Sequence, residues 1–205
     1  MVLVRALVHD LALILVEPCQ NPLSQLPPTD IHLASFVPTQ WATMLESEVQ
    51  LNTYFQRAKG VLLGGASVPK KLRNDYGFPV YETYGMTETV SHIAFRTWNQ
   101  SYFQTLPGVR IAQNDEHCLL ICAAVTENNW IETRDAVQMQ GPGRFTLNGR
   151  LDRVVNSGGI KLQPEKIEAV YQLQTSLPLF VAGIPDVFWG SKLVLFVETA
   201  EKVSF

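Results

Sequence analysis

The stretch "GVLLGGASVPKKLRNDYGFPVYETYG", residues 60–85, carries the most information about the fold. The apolar run "GVLL" is followed by two glycines and then a polar segment with Pro69. This order predicts a strand, a tight turn and a helix with proline in its first turn. The run "FPVYETYG" predicts a second strand that ends in a loop. Two such units so close together favour a partly parallel α/β sheet.

The chain before this stretch shows a related pattern. A helix is predicted to end near His9, and "LALILVEP", residues 11–18, is predicted to form a strand. After a proline-rich link, "SFVPTQWATMLES" is typical of an extended segment entering a helix, with Thr39 as its N-cap.

The pattern changes after residue 92. Short alternating runs up to about residue 150 predict an antiparallel β subdomain. The chain then continues with a hairpin, a helix with proline in its first turn and two strands, which is typical of a small α+β domain. We therefore predict two domains, residues 1–151 and 152–205, with the boundary at Asp152.

Composition excludes several classes of protein. The chain has 205 residues, 46% of them hydrophobic, with a net charge of −3 and a pI near 5.8. This balance has no basic stripe and argues against nucleic acid as a partner. Three cysteines without framework spacing suggest reduced thiols and a cytoplasmic location. Charged residues interrupt the apolar N-terminal run, so no membrane span or signal peptide is predicted. Oligomeric state is left open.

Two cysteines raise the question of a metal site. Cys118 and Cys122 lie beside His117 and could serve as ligands. The run "CLLICAAV" is more typical of a buried strand, and free cysteine is usually buried.

The stretch "YETYGMTETVSH", residues 81–92, has more chemistry than a turn needs. Tyr84 offers an aromatic face for a base, and Thr87 a hydroxyl for a phosphate oxygen. Glu88 offers a hard carboxylate for Mg²⁺, which prefers few protein oxygens plus substrate phosphates. An ordinary polar loop remains the alternative.

Two further motifs follow the same logic. In "WIETRDAVQ", Asp135 is placed near a strand end, where an acidic residue commonly accepts from ribose hydroxyls, although a solvated turn residue is the alternative. The stretch "GRLDRVVNSGGIKLQPEKIE", residues 149–168, is typical of a connector with a hairpin. A simple connector explains the glycines but not Arg150 and Asp152.

These motifs together resemble the adenylate-forming superfamily of acyl-CoA synthetases, peptide-synthetase adenylation domains and luciferases. "LLGGA", "YGMTE", "TRD" and the stretch at 149–168 occur in the family's order, and the resemblance covers nearly the whole chain. More narrowly, "GMTETVSHIAFR" is similar to the o-succinylbenzoate–CoA ligases of menaquinone biosynthesis. The resemblance implies that residues 1–151 are the C-terminal part of the large adenylating domain.

The resemblance also implies roles for individual residues. It places ATP and CoA as co-substrates, Mg²⁺ as the metal and a small carboxylate as the acyl substrate. Thr87 would contact the α-phosphate and Glu88 would hold the metal. Asp152 would be the hinge for rotation of the small domain. The implied nucleotide, pantetheine and acyl contacts are Gly64, Gly65, Ala66, Tyr84 (stacked on adenine), Gly85, Asp135 (on the ribose), Arg150, Gly158 and Gly159 (on pantetheine), and Ser91 and His92 (facing the acyl group).

The chain also departs from the family pattern. The family's phosphate loop is expected upstream of Met1 and its catalytic lysine beyond Phe205, so we expect this chain to be a fragment that is inactive alone. Arg134 replaces the family's usual glycine in "TRD", which predicts a differently shaped ribose loop. A non-catalytic nucleotide- or CoA-binding fragment, a synthetase for another carboxylate and an interaction module with decayed motifs are the alternative functions.

Overall fold

The computed structural model describes residues 2–47, 49–175 and 177–199. Four α-helices and thirteen strands follow one another among these residues. The helices are α1 (Val2–Val8), α2 (Pro38–Glu46), α3 (Asn52–Phe55) and α4 (Pro164–Tyr171). The strands are β1 (Leu33–Phe36), β2 (Gly60–Leu63), β3 (Val80–Gly85), β4 (His92–Arg96), β5 (Phe103–Thr105), β6 (Arg110–Gln113), β7 (Cys118–Cys122), β8 (Ile131–Gly141), β9 (Arg144–Arg150), β10 (Val155–Ser157), β11 (Ile160–Leu162), β12 (Leu179–Asp186) and β13 (Gly190–Val197).

Nine of the strands form one mixed sheet in the order β1-β2-β3-β4-β5-β9-β8-β7-β6. The first three strands are parallel, and the remaining pairs are antiparallel. The hairpins β10–β11 and β12–β13 form two small sheets at the C-terminal end. The predicted α/β region, antiparallel β region and small α+β region are all confirmed.

Two apolar clusters support the large sheet. One packs α2 and α3 against the parallel strands, with Trp41 and Phe55 fully buried at its centre. The other lies under the antiparallel strands, where Tyr84, Phe103 and Phe145 pack together. The second cluster begins at the C-terminal end of β3, where Tyr84 is packed among apolar side chains.

Three local predictions were wrong. Residues 11–17 are not a strand: Leu11, Ile14 and Leu15 are exposed, and no described strand pairs with them. Helix α2 begins at Pro38 with Val37 as its N-cap, because the proline ring already has the helical φ at the first position. Thr39 is therefore inside the helix.

The third wrong prediction is the helix after Pro69. Only a 3-10 turn forms there, at Lys70–Leu72. The residues that follow, "RNDYGFP", are rich in turn formers, and Gly77 has φ +75. These residues stop a helix before it can propagate.

Cys118 and Cys122 lie buried in β7, as the strand interpretation predicts. Among the described residues, no group of three or more side chains could hold a metal ion. No helix within the described ranges is long and apolar enough to cross a membrane.

Candidate functional site

The C-terminal end of β3 is where the predicted site residues meet. Three consecutive residues, Thr83, Tyr84 and Gly85, lie here. Each one contacts a different predicted motif: the Gly-Gly turn, the strand that carries Asp135, or the Ser91–His92 segment. Thr83 donates from its hydroxyl to the Leu63 carbonyl at 3.2 Å, which joins the end of β3 to the end of β2. A Cβ on Gly64 would collide with that hydroxyl, so a side chain there would force Thr83 to move.

Gly65 and Ala66 follow Gly64 at the surface of the protein. Gly65 has φ +82, a conformation that favours glycine, and both residues are exposed. The Gly-Gly turn therefore leaves backbone open beside the end of β3.

Gly85 makes the second contact. A Cβ at this position would lie 2.5 Å from the Ser91 carbonyl oxygen and 2.6 Å from the His92 Cα. The two chains can approach this closely only because residue 85 has no side chain.

Tyr84 makes the third contact, and its stacking on adenine stays a prediction. Its ring packs 5.1 Å from Phe145 and 5.8 Å from Phe103, between centroids, and the residue is 8% exposed. The phenol donates to Oδ2 of Asp135 at 2.5 Å.

Asp135 lies within β8 rather than near a strand end, which corrects its predicted place. Burial alternates along this strand, so Thr133 and Asp135 point into the protein while Arg134 points out. Asp135 is directly opposite Arg150 on β9, and the Arg150 guanidinium donates to Oδ1 at 3.3 Å. Both carboxylate oxygens therefore have a protein donor.

Arg134 lies within β8, shortly before a register irregularity between Ala136 and Val137, and the differently shaped ribose loop stays a prediction. Its side chain is exposed and pairs with Glu116 at 3.6 Å. Successive side chains of a strand point to opposite faces. Arg134, which stands where the family has glycine, can therefore point to solvent.

Arg150 extends this network to the predicted hinge. Its guanidinium makes a bidentate contact with Asp152, at 2.9 and 2.7 Å. Hydrogen bonding to Arg150 holds the pKa of Asp152 below its ordinary value, and the same bond raises the pKa of Arg150. Burial, and then the Asp135 carboxylate, raise the pKa of Tyr84, so the phenol stays a proton donor.

The turn Thr87–Thr89 follows directly after Gly85 and Met86. Thr87 and Glu88 are exposed at its surface. Thr89, which sequence reasoning missed, is buried, and its hydroxyl accepts from the Met86 amide at 3.0 Å. No ion pair found among the described residues involves Glu88. A lone carboxylate of this kind fits Mg²⁺, which takes most of its remaining ligands from phosphates and water.

Ser91 and His92 meet a residue that the sequence analysis did not assign. Arg5 of α1 donates to Ser91 Oγ at 2.6 Å and to His92 Nδ1 at 3.3 Å. Burial, and then the charge of Arg5, lower the pKa of His92, so its ring is neutral and accepts the bond. Arg5 lies 86 residues before Ser91, and no local pattern could have paired them.

The chain is similar to several known proteins. The chain is 30% identical over 203 residues to the 2-succinylbenzoate–CoA ligase of Salmonella typhimurium, covering 89% of this chain and 43% of that protein. A solved acyl-CoA synthetase (AMP-forming)/AMP-acid ligase II-like protein from Dyadobacter fermentans is 35% identical, with a TM-score of 0.62 over 91% of this chain and 56% of that one. A variant of E. coli MenE with bound OSB-AMS is 28% identical, with a TM-score of 0.71 over 90% of this chain and 44% of that one.

The chain resembles the AMP-forming acyl-CoA ligases. The predicted resemblance to o-succinylbenzoate–CoA ligases is thereby confirmed over most of the chain. No protein-family model matches it. The chain spans less than half the length of the curated ligases that it matches.

Two residues expected in such a ligase lie apart from the end of β3. Gly158 and Gly159 form the exposed turn of the β10–β11 hairpin, as predicted for the connector, and Gly158 packs against the ring of Trp189. A cleft of about 1130 Å³ lies between β8, β9, this hairpin and α4, and Lys161 and Lys166 are among its lining residues. The cleft adjoins the site but does not include Tyr84.

Proposed function

We propose that the full-length protein is an ATP-dependent carboxylate–CoA ligase that acts in the cytoplasm. The observation that carries this proposal is the gathering of three motifs at Thr83, Tyr84 and Gly85. Through these three residues, the end of β3 contacts the Gly-Gly turn, Asp135, and the Ser91–His92 segment. A nucleotide, a metal and an acyl group could therefore bind around one strand end.

The reaction has two steps. The substrate carboxylate attacks the α-phosphorus of ATP, giving an acyl-adenylate and releasing pyrophosphate. The CoA thiol, losing its proton, then attacks the acyl carbon and AMP departs, so a thioester replaces the mixed anhydride. The protein contributes positioning and electrostatic stabilisation to both steps.

In this proposal the residues divide the work. Thr87 donates to an α-phosphate oxygen, and Asp135 accepts from the ribose with Arg150 beside it. Mg²⁺, held by Glu88, would neutralise charge that develops on the phosphates. The backbone of Gly64, Gly65 and Ala66 would line the nucleotide and acyl pocket, and Gly85 lets the Ser91–His92 backbone approach the end of β3 closely.

The second step, thioester formation, would use the C-terminal region of the chain. Residues 152–205 would form a domain that rotates about Asp152 and brings Gly158 and Gly159 to the pantetheine. The exposed turn supports this at Gly159, where a side chain would meet nothing within 4 Å and a narrow ligand can approach the backbone; at Gly158 the Trp189 ring fills that space. Lys161 and Lys166 in the adjoining cleft would pair with CoA phosphates.

The acyl substrate is proposed to be o-succinylbenzoate, which has two carboxylates. One carboxylate reacts, and the other needs a cation and hydrogen-bond donors. Arg5, held between Ser91 and a neutral His92, supplies them at the site where the acyl group is expected.

The test is ATP–pyrophosphate exchange by the full-length protein with o-succinylbenzoate and with benzoate. We expect exchange with the dicarboxylate, and we expect Arg5→Met to raise its KM at least tenfold through loss of a charged contact. Arg57→Met is the matched control, since the Arg57 side chain is 71% exposed and its ion pair among the described residues is a surface contact with Asp30. Nucleotide binding without any exchange would make the protein a non-catalytic binder instead. Exchange with benzoate alone would move the proposal to another carboxylate.

A further inference from the structure

The buried hydroxyl of Thr89 joins two parts of the candidate site. Thr89 is 2% exposed, and its Oγ1 accepts from the Met86 amide at 3.0 Å. The same hydroxyl lies 2.8 Å from the Ser91 carbonyl oxygen and 3.0 Å from the Met86 carbonyl oxygen. A hydroxyl has one proton, and the shorter contact favours donation to Ser91. Thr89 therefore connects the backbone before Thr87 and Glu88 with the backbone after them.

The backbone between these two contacts has a strained conformation. The Ser91 amide donates to the Thr89 carbonyl at 2.6 Å, and Val90 between them has φ +61 and ψ −38. A three-residue turn with positive φ and negative ψ at its centre is the rare, strained form of the γ-turn. A β-branched residue adopts such a conformation only where its surroundings impose it. The Thr89 hydroxyl bonds backbone on both sides of Val90 and so closes this γ-turn.

The Ser91 end of the γ-turn is connected to the expected acyl site. The Ser91 carbonyl oxygen lies 2.5 Å from where a Cβ on Gly85 would be, so it is close against the end of β3. The Ser91 hydroxyl accepts from Arg5 at 2.6 Å. A shift of the Ser91 backbone would therefore move the group that holds Arg5.

We infer that Thr89 is a positioning residue whose hydroxyl sets the distance between Glu88, before the γ-turn, and Ser91, after it. The inference rests on the proposed function, in which Thr87 and Glu88 face the phosphates and Mg²⁺ and Arg5 binds the acyl substrate. Attack by the substrate carboxylate requires the reacting atoms about 3 to 3.5 Å apart, so a small error in this distance lowers the rate. Thr89 itself is buried and acts only through its neighbours.

The turn Ala124–Thr126 offers a matched control. The Thr126 hydroxyl is also buried, accepts from the Ala123 amide at 3.1 Å and donates to the Asn129 carbonyl at 2.7 Å. Glu127 after it is in the left-handed helical region, and the turn contains no residue of the proposed site. Replacing either threonine with valine removes one buried hydroxyl and keeps the branched shape, so both variants should lose similar stability.

The experiment measures single-turnover adenylation of o-succinylbenzoate by the full-length protein, together with the KM for each substrate. We expect Thr89→Val to lower the single-turnover rate about tenfold and to raise the KM for o-succinylbenzoate about fivefold. The KM for ATP should stay within about twofold, because the proposed ribose and base contacts do not involve this turn. Thr126→Val should leave all three quantities within about twofold of the parent, and Thr89→Ser, which keeps the hydroxyl, should stay within about threefold.

A double variant separates positioning from a general loss of structure. If Thr89 acts on the acyl substrate through Ser91 and Arg5, its effect on KM depends on the presence of the Arg5 guanidinium. In an Arg5→Met background, Thr89→Val should therefore raise the KM for o-succinylbenzoate by no more than about twofold. A full fivefold increase in that background contradicts this route.

The remaining outcomes separate this inference from the proposed function. If Thr89→Val adenylates as fast as Thr126→Val, Thr89 does not position the site and the proposed function stands. If the unaltered protein does not adenylate o-succinylbenzoate, the proposed acyl substrate fails and this inference fails with it. Thr89→Cys covers the case in which Thr89→Val does not fold, since a thiol is a weaker hydrogen-bond partner. Its rate should fall below that of the parent, and an unchanged rate contradicts the inference.

Discussion

The turn at Thr87–Thr89 and the turn at Ala124–Thr126 share one hydrogen-bonding pattern. In the first, the Thr89 hydroxyl accepts from the Met86 amide at 3.0 Å and donates to the Ser91 carbonyl at 2.8 Å. In the second, the Thr126 hydroxyl accepts from the Ala123 amide at 3.1 Å and donates to a carbonyl at 2.7 Å. The two turns also contact each other.

The two turns differ in the residues that precede them and in the backbone angles of the residues that end them. Gly85 precedes the first turn, and Cys122, which is buried, precedes the second. Val90 ends the first turn with φ +61 and ψ −38, whereas Glu127 ends the second at φ +53 and ψ +29, in the left-handed helical region. A β-branched residue at positive φ is a backbone outlier.

This difference indicates that the conformation of the first turn lowers the folding stability more than that of the second. The second turn has a conformation that a non-glycine residue adopts at modest cost. The first has a close approach at Gly85 and a strained Val90, and it presents Thr87 and Glu88 to solvent. Strain of this kind is found where a structure must hold functional groups in place.

The largest expected effect is a loss of stability when Gly85, which precedes the first turn, is replaced. Gly85→Ala would place a methyl group 2.5 Å from a backbone oxygen, and backbone cannot move aside as a flexible side chain can. We expect the free energy of unfolding to fall by more than about 3 kcal/mol. Cys122→Ala, at the equivalent position of the second turn, adds no atom and should cost about 1 kcal/mol. Urea denaturation of both variants gives the comparison, and equal losses would show that the close approach is not a constraint.

The next largest expected effect is on the rate of adenylation. Glu88→Ala in the full-length protein should lower single-turnover adenylation on the order of a hundredfold, because charge then develops on the phosphates without the metal ligand. Affinity for AMP should change little, since Glu88 contacts no base or ribose in the proposal. Glu127→Ala removes an exposed carboxylate from the second turn and should leave the rate within about twofold. If Glu88→Ala also keeps its rate at saturating Mg²⁺ and ATP, Glu88 does not hold the metal.

The sequence predicted the components of this region better than their environment. Strands β3, β4, β7 and β9 follow from alternating or continuous apolar runs, and the β10–β11 hairpin follows from its glycines. Hydroxyl and carboxylate types at 87 and 88 follow from the motif. Each of these is a local property, and local patterns are what a sequence displays directly.

What the sequence could not predict depends on contacts distant along the chain. Burial of Tyr84 requires Phe145, 61 positions away, and the interaction of Arg5 with Ser91 joins segments 86 positions apart. The position of Asp135 inside a long strand depends on pairing with β9, which sets the register. The Thr89 and Thr126 hydroxyls were missed although each recurs three residues after its amide partner, a spacing that could have been noticed.

The smallest effect tests whether the strain at Val90 is real and whether it serves the turn. Val90 is 55% exposed, so replacing it removes little packing, and any change in stability reports mainly on the backbone. Glycine adopts positive φ without a steric cost, although it also raises the entropy of the unfolded chain. We expect Val90→Gly to raise the free energy of unfolding by about 1 kcal/mol, and Glu127→Gly by about half as much, because ψ at Val90 lies outside the left-handed region. A Val90→Gly protein that is less stable than the parent would contradict the strained conformation. If the strain holds Thr87 and Glu88 in place, the more stable glycine variant should adenylate more slowly, by a few-fold, while Glu127→Gly keeps its rate. Stability and rate would then move in opposite directions in the first turn alone, which is the signature expected of a turn whose strain fixes its exposed groups.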